Sequence, residues 1–87
     1  MKNNIEAHKN MITELFKLKP YSKERYEKAN EIKNFGKETG LYCNYYDMNL
    51  ENKTVQCNIS IKNDGLYERL ETFTITNITN IDKYSSL

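Results

Sequence analysis

Three side chains in the sequence could act as a nucleophile, a general base or a soft metal ligand. They are the single histidine, His8, and the two cysteines, Cys43 and Cys57. A cysteine nucleophile needs a base within hydrogen-bond reach and a partly exposed, electropositive site, whereas strand parity turns both thiols toward the core. Two thiols and one imidazole also fall short of the four ligands of a structural zinc site. The sequence therefore predicts a protein that is not an enzyme and that holds no metal or cofactor.

His8 has two interpretations. It lies near the middle of the apolar arc of the first predicted helix, where a packed imidazole in the core or in an interface is the expected role. The alternative is a catalytic base, which would require a spatial approach of Cys43 or Cys57 across the core. No other motif supports catalysis, because the three glycines match no phosphate loop and the acidic residues near turns lack the register of a calcium loop.

Recognition by exposed tyrosines is the second kind of chemistry that the sequence offers. From residue 41 the hydrophobic period changes from 3.6 to 2, so alternate side chains lie on the sheet face away from the core. This parity predicts a partner-binding surface made of Tyr42, Asn44, Tyr46, Met48 and, from the next strand, Lys62. Tyrosine is a frequent hot-spot residue in protein interfaces, and it also stacks on single-stranded bases. The third interpretation is cross-strand pairing that only stabilises the sheet.

Two helices are predicted to precede the strands. The first is capped by Asn3 or Asn4 and runs to about Leu18, with its apolar residues inside an arc of about 160°. Ser22 is the predicted N-cap of the second helix, and Gly40 supplies its left-handed C′ position. The apolar stripe of the second helix is weak, which predicts an outer, half-covered helix.

Three strands follow, connected by short turns. A turn at 49–52 leads to a clean alternation over 54–62, and Asn63-Asp64-Gly65 is a typical hairpin turn. The third strand is predicted from Leu66 to about Thr79, with a bulge or bend near Asn77 because the isoleucine spacing there departs from period 2. The helices are expected to cover one sheet face, formed by Leu41, Cys43, Tyr45, Val55, Cys57, Ile59, Ile61, Phe73 and Ile75.

The predicted fold is a two-layer α+β domain, with two N-terminal helices packed on one face of a three-stranded antiparallel β-meander. Residues 1–87 form one domain, in which 1–40 are a helical hairpin, 41–81 the meander and 82–87 a frayed tail. The segment 74–81 combines high β-propensity with no charge. As an exposed edge it would pair with a partner's strand, which allows a homodimer through the third strand.

Composition and charge exclude several classes of protein. The 87 residues carry a net charge of +1, which argues against affinity based mainly on neutralising nucleic-acid phosphates. No apolar run reaches the roughly 18 residues of a membrane span, and residues 1–6 lack the apolar region of a secretory signal. The sequence therefore predicts a cytoplasmic protein that does not enter a membrane, with both cysteines as free thiols.

The composition also bears on function. Twelve Asn, 11 Lys, 8 Ile and 7 Tyr form a bias that AT-rich codons produce. Small single domains of this kind are common among phage and mobile-element accessory proteins, including inhibitors of host defence. The prediction is a non-enzymatic protein-binding module that acts as a regulator or stoichiometric inhibitor of a protein partner. The alternative is a single-stranded nucleic-acid-binding domain that uses the sheet-face tyrosines.

Overall fold

The computed structural model describes residues 2–79, and it confirms the two-layer α+β architecture. Two helices precede three strands: α1 (Lys2–Lys17), α2 (Lys23–Thr39), β1 (Leu41–Asn49), β2 (Thr54–Asn63) and β3 (Leu66–Ile75). The strands form one antiparallel sheet in the order β1-β2-β3, and both helices lie on the same face of it. The predicted frayed tail, 82–87, lies outside the described residues.

The structure confirms the two predicted ends of α2, but it does not confirm the predicted cap of α1. The Ser22 side chain accepts a hydrogen bond from the Arg25 backbone N–H at 3.1 Å, as an N-cap does. Gly40 has φ 78° and its N–H donates to the Gly36 carbonyl, which closes the helix in the left-handed conformation. Asn3 and Asn4 do not cap α1, because the helix already begins at Lys2.

The core lies between α1 and the covered face of the sheet. Its buried apolar residues come from α1, all three strands and the segment after β3: Ile12, Phe16, Leu41, Val55, Cys57, Ile59, Ile75 and Ile78. Cys43, Ile61 and Phe73 are partly buried against this cluster, as the strand parity predicts. Tyr45 departs from the prediction, because it is 62 % exposed and only its ring edge meets Phe16, at a centroid distance of 5.5 Å. β1 is an edge strand, and the helices leave this part of it uncovered.

Helix α2 is the outer helix that its weak apolar stripe predicts. Only Gly36 is buried, while Ile32 and Phe35 pack against the rim of the core. Gly36 marks the closest approach of α2 to the sheet, since a Cβ there would lie 2.8 Å from the Leu41 carbonyl oxygen. An ion pair of 2.8 Å between Lys28 and Glu14 also links α2 to α1.

The end of β3 differs from the prediction. The strand stops at Ile75 rather than continuing to Thr79, and Asn77 takes φ 54° where the sequence predicts a bulge or bend. The chain then crosses the end of the core, with Ile78 buried and the Thr79 N–H donating to the Phe16 carbonyl at 2.7 Å. Part of the uncharged segment is therefore tied to α1 and is not a free strand edge. The homodimer through the third strand stays a prediction.

Candidate functional site on the open sheet face

The sheet face opposite the helices is formed by alternate residues of all three strands. Cross-strand pairing places these residues in four rows. The rows are Tyr42–Ser60–Arg69, Asn44–Asn58–Thr72, Tyr46–Gln56–Thr74 and Lys62–Tyr67. We call this set the open face. Four of the five residues that the sequence predicts for partner binding belong to it and are exposed: Tyr42, Asn44, Tyr46 and Lys62.

Met48 is the exception, and its predicted outward position is wrong. The register between β1 and β2 shifts between Tyr46 and Asn49, and Asp47 at this irregularity has φ 48°. A bulge of this kind reverses the parity of the residues beyond it. Met48 is consequently half-buried and packs against the core cluster instead of joining the open face.

An aromatic group occupies the end of the open face near the β2–β3 turn. The rings of Tyr42 and Tyr67 meet edge to face, with centroids 5.3 Å apart and an interplanar angle of 81°. The Lys62 ammonium lies 5.8 Å from the centroid of the Tyr67 ring. Both tyrosines keep much of their surface exposed, at 42 % for Tyr42 and 60 % for Tyr67. Their mutual packing restrains the rings while leaving contact area for a partner.

The middle of the open face is a row of paired polar side chains. The Thr72 hydroxyl donates to Asn58 Oδ1 at 3.0 Å, and the Thr74 hydroxyl donates to Gln56 Oε1 at 2.8 Å. These hydrogen bonds use part of the hydrogen-bonding capacity of the polar side chains of β2 and β3 within the sheet. The tyrosines and the two cations are therefore the side chains with the most capacity left for recognition.

The charge of the open face has one sign. Lys62 and Arg69 are the cations of the four rows, and no carboxylate occupies any row position. Neither cation forms an ion pair with another residue within 2–79. The face therefore combines exposed tyrosine with a small positive charge, although the whole chain carries only +1.

Two residues of the open face with side chains suited to recognition, Tyr67 and Arg69, are absent from the sequence-based set. Counting parity outward from the Asp64–Gly65 turn would have found Tyr67, because it pairs directly with Lys62. The same count would have found Arg69, which has the parity of Tyr67 and pairs with Ser60, whereas counting back from Phe73 and Ile75 would have placed both residues inward. The β2–β3 register places Ile59 opposite Glu71 but Ser60 opposite Arg69, so β3 contains an extra residue, Leu70, at this point.

The residues with catalytic chemistry lie on the covered side of the sheet, where His8 and Cys43 line one cavity and Cys57 is buried in the core. Cys43 is opposite Ile59, and Cys57 is opposite Tyr45, so the two thiols are diagonal neighbours on adjacent strands. The Cys43 thiol donates its proton toward the Cys57 sulfur, and this interaction together with burial raises the pKa of Cys43, which keeps it protonated at neutral pH. Within the described residues no three His, Cys, Asp or Glu side chains are grouped as a metal site would require.

Neither α1 nor α2 has the length and apolarity required to cross a bilayer.

Comparison of the chain with protein-family models, with curated proteins and with solved structures gave no match. The fold and the open face are thus the observations from which a function can be argued.

Proposed function

We propose that the protein is a non-enzymatic binding module whose open face holds a protein partner, and that it acts as a regulator or stoichiometric inhibitor by occupying that partner. The observation that carries this proposal is that exposed Tyr42, Tyr46 and Tyr67 share the open face with two cations. Neither Lys62 nor Arg69 forms an ion pair within 2–79, and no carboxylate occupies any of the four rows. Tyrosine and arginine are the side chains enriched at the centres of protein interfaces.

Charge complementarity suggests the chemistry of the partner surface. Lys62 and Arg69 would face carboxylates, and the tyrosine rings would enter apolar recesses between them. The partner is therefore expected to present an acidic patch with an apolar centre. Support for a non-enzymatic role comes from Cys43, the thiol that lines the same cavity as His8, because its raised pKa disfavours the thiolate that a nucleophile requires. An origin in a phage or mobile element stays a prediction from composition alone.

The principal test is affinity capture from an extract of the source cells, treated with nuclease, using the wild-type chain and the double variant Y42A/Y46A. A partner captured by the wild type is expected to be reduced at least tenfold with the double variant, since each lost hot-spot residue weakens binding by about 2 kcal/mol or more.

The matched control is Y21A/Y26A, which removes two tyrosines that are 78 % and 70 % exposed on the helical side. This variant should retain the partner. Circular dichroism and the urea midpoint of each variant establish that the fold is intact. Equal capture by Y42A/Y46A and wild type, with both folded, would show that the open face is not the binding surface.

A second candidate, binding of single-stranded nucleic acid, is favoured by the addition of Tyr67 and Arg69 to the open face. Aromatic rings beside cations on an open sheet are the arrangement on which bases stack. However, two cations would release few counterions, giving a slope of only about 1.4 in log affinity against log salt, at about 0.7 for each phosphate contact. A titration of fluorescein-labelled oligothymidine at several salt concentrations tests this candidate. Tight binding that Y42A/Y46A abolishes and Y21A/Y26A retains would favour nucleic acid over protein.

A further inference from the structure

A cavity of about 310 Å³ lies on the helical side, where α1, α2 and the edge strand β1 meet, and Tyr42 is the one residue of its walls that also belongs to the open face. Its walls are formed by His8, Ile32, Lys33, Gly36, Lys37, Leu41, Tyr42 and Cys43. This volume is at the lower end of the range for small-molecule sites, and the combination of apolar walls with a few polar groups is typical of them.

His8 is the polar group at the inner wall of this cavity. The side chain is only 1 % exposed, and neither ring nitrogen has a hydrogen-bond partner within the described residues. Its ring packs against Phe35 at a centroid distance of 5.6 Å. Burial lowers the pKa of His8, so the imidazole is neutral at pH 7 and presents one donor and one acceptor. A buried polar side chain without a partner is costly, and it indicates that something outside the described residues completes the site.

Two lysines give the cavity its charge. Lys33 and Lys37 are one helical turn apart on α2, both are exposed, and both line the cavity. Neither forms an ion pair with a residue in 2–79, in contrast to Lys28 on the same helix, which contacts Glu14 and Glu31. The cavity therefore joins apolar walls, a buried hydrogen-bond donor and two cations that have no carboxylate partner among the described residues.

We propose that this cavity binds a small organic carboxylate with an apolar body, of the size of an arylalkanoic acid. In this arrangement the His8 side chain rotates to bring one ring nitrogen, which is inaccessible to solvent in the structure, to the carboxylate, and Lys33 and Lys37 neutralise the charge. The apolar body lies against Ile32 and Leu41. The proposal does not depend on the function of the open face, since Tyr42 is the one lining residue that the two sites share and none of the variants below changes it.

Water alone accounts less well for the site. A single ordered water needs two to four polar partners, and its share of liquid volume is about 30 Å³. The cavity is about ten times larger, and His8 is its one buried side chain with unpartnered polar atoms. An apolar ligand with one anionic group fits both the volume and the distribution of polar atoms.

The test compares 3-phenylpropionate with its neutral analogue 3-phenylpropanamide by two-dimensional ¹H–¹⁵N NMR titration of the full chain. The acid is expected to bind with a dissociation constant of about 1 mM, as its small size allows. Its shifts should be centred on the backbone amides of Ile32, Gly36, Leu41 and Cys43 and on the ring nitrogens of His8. The amide should bind at least about threefold more weakly, since it lacks the charge that the lysines neutralise.

Two variants assign the binding to the proposed groups. H8F keeps an aromatic ring in place and removes the donor, and it should weaken binding of the acid about tenfold or more, as expected for loss of a hydrogen bond to a charged group. K33Q/K37Q should remove the preference for the acid over the amide. The control K19Q/K53Q changes the net charge equally, away from the cavity, and should leave both affinities unchanged.

Several outcomes would overturn the proposal. Two of them are equal affinity for the acid and the amide, and shifts centred on the open face. The others are an equal response of K33Q/K37Q and K19Q/K53Q, and no saturable binding of the acid up to 10 mM, which is ~10 times the expected dissociation constant. The lysine variants are at exposed positions, so they decide the question even where H8F fails to fold. None of these variants alters Tyr46, Tyr67 or Lys62, so capture of a protein partner by the open face can be measured separately on the same proteins.

Discussion

The two faces of the sheet use the same strands in different ways. On the covered face, Val55, Cys57 and Ile59 have no exposed surface and contact the core under the helices. On the open face, the alternate residues Gln56 and Asn58 are partly exposed, and their side chains accept hydrogen bonds from threonines of β3. Apolar burial contributes far more to stability than a partly exposed hydrogen bond. The comparison indicates that the covered face maintains the fold, which leaves the open face available for recognition.

The largest effect expected from this comparison is on the covered face. I59A removes a fully buried side chain and should lower the free energy of unfolding by about 2–5 kcal/mol. Its neighbour on the other face, N58A, should lower it by only about 0.5–1.5 kcal/mol through loss of the Thr72 hydrogen bond. Urea unfolding followed by circular dichroism measures both. Comparable losses from the two substitutions would contradict the division between a structural and a recognition face.

A double-mutant cycle, for which we expect an effect of intermediate size, tests whether the tyrosines of the open face also stabilise the sheet. The edge-to-face contact of Tyr42 and Tyr67 should contribute a coupling of about 0.5–1.5 kcal/mol in a double-mutant cycle of Y42A, Y67A and the double variant. Tyr46 and Tyr67 have no ring contact within 2–79 and supply the control cycle, in which the coupling should be near zero. A Tyr42–Tyr67 coupling above the whole loss of I59A would mean that this pair is mainly structural.

The covered face could be predicted from the sequence because its signals are local. The 3.6-residue period of α1, the period of 2 in β2, the Ser22 cap and the Gly40 terminus are each encoded within a few residues, and the structure confirms them. The open face was predictable only in part. Tyr42, Asn44, Tyr46 and Lys62 follow from unbroken alternation, and all four lie on that face.

The departures arise where the alternation is interrupted or where coverage depends on other elements. The irregularity at Asp47 turns Met48 toward the core, and the extra residue Leu70 gives Tyr67 and Arg69 the opposite orientation from Phe73 and Ile75, with which they share sequence parity. Neither residue type specifies a bulge. Tyr45 is exposed because the helices end short of it, and the cavity beside His8 depends on the relative placement of three elements. Such features are set by tertiary packing, which a single local pattern does not record.

His8 is a polar residue on the covered side of the sheet, and its hydrogen-bonding capacity is unused within the described residues. In this respect the covered face resembles the open face. Burial lowers its pKa below the ordinary value of 6.5. The unfolded chain therefore binds a proton at His8 at a higher pH than the folded chain does. Folded-state stability from this residue is complete above pH 6.5 and should be lost progressively as the pH falls below it.

The smallest expected effect is this pH dependence, whose slope for one group cannot exceed about 1.4 kcal/mol per pH unit. The free energy of unfolding of wild type and H8F is to be measured in urea between about pH 5.5 and 7.5. This interval lies above the pH range in which ordinary carboxyl groups titrate. Wild type should lose stability toward the acid end. The stability of H8F should depend less on pH, because the other ionisable side chains that line the cavity are the same in both proteins: Lys33, Lys37, Tyr42 and Cys43. If both proteins showed the same slope, His8 would not be buried as a neutral imidazole. The distinction between the two faces would then lack its one polar exception, and the proposed carboxylate site would lose its hydrogen-bond donor.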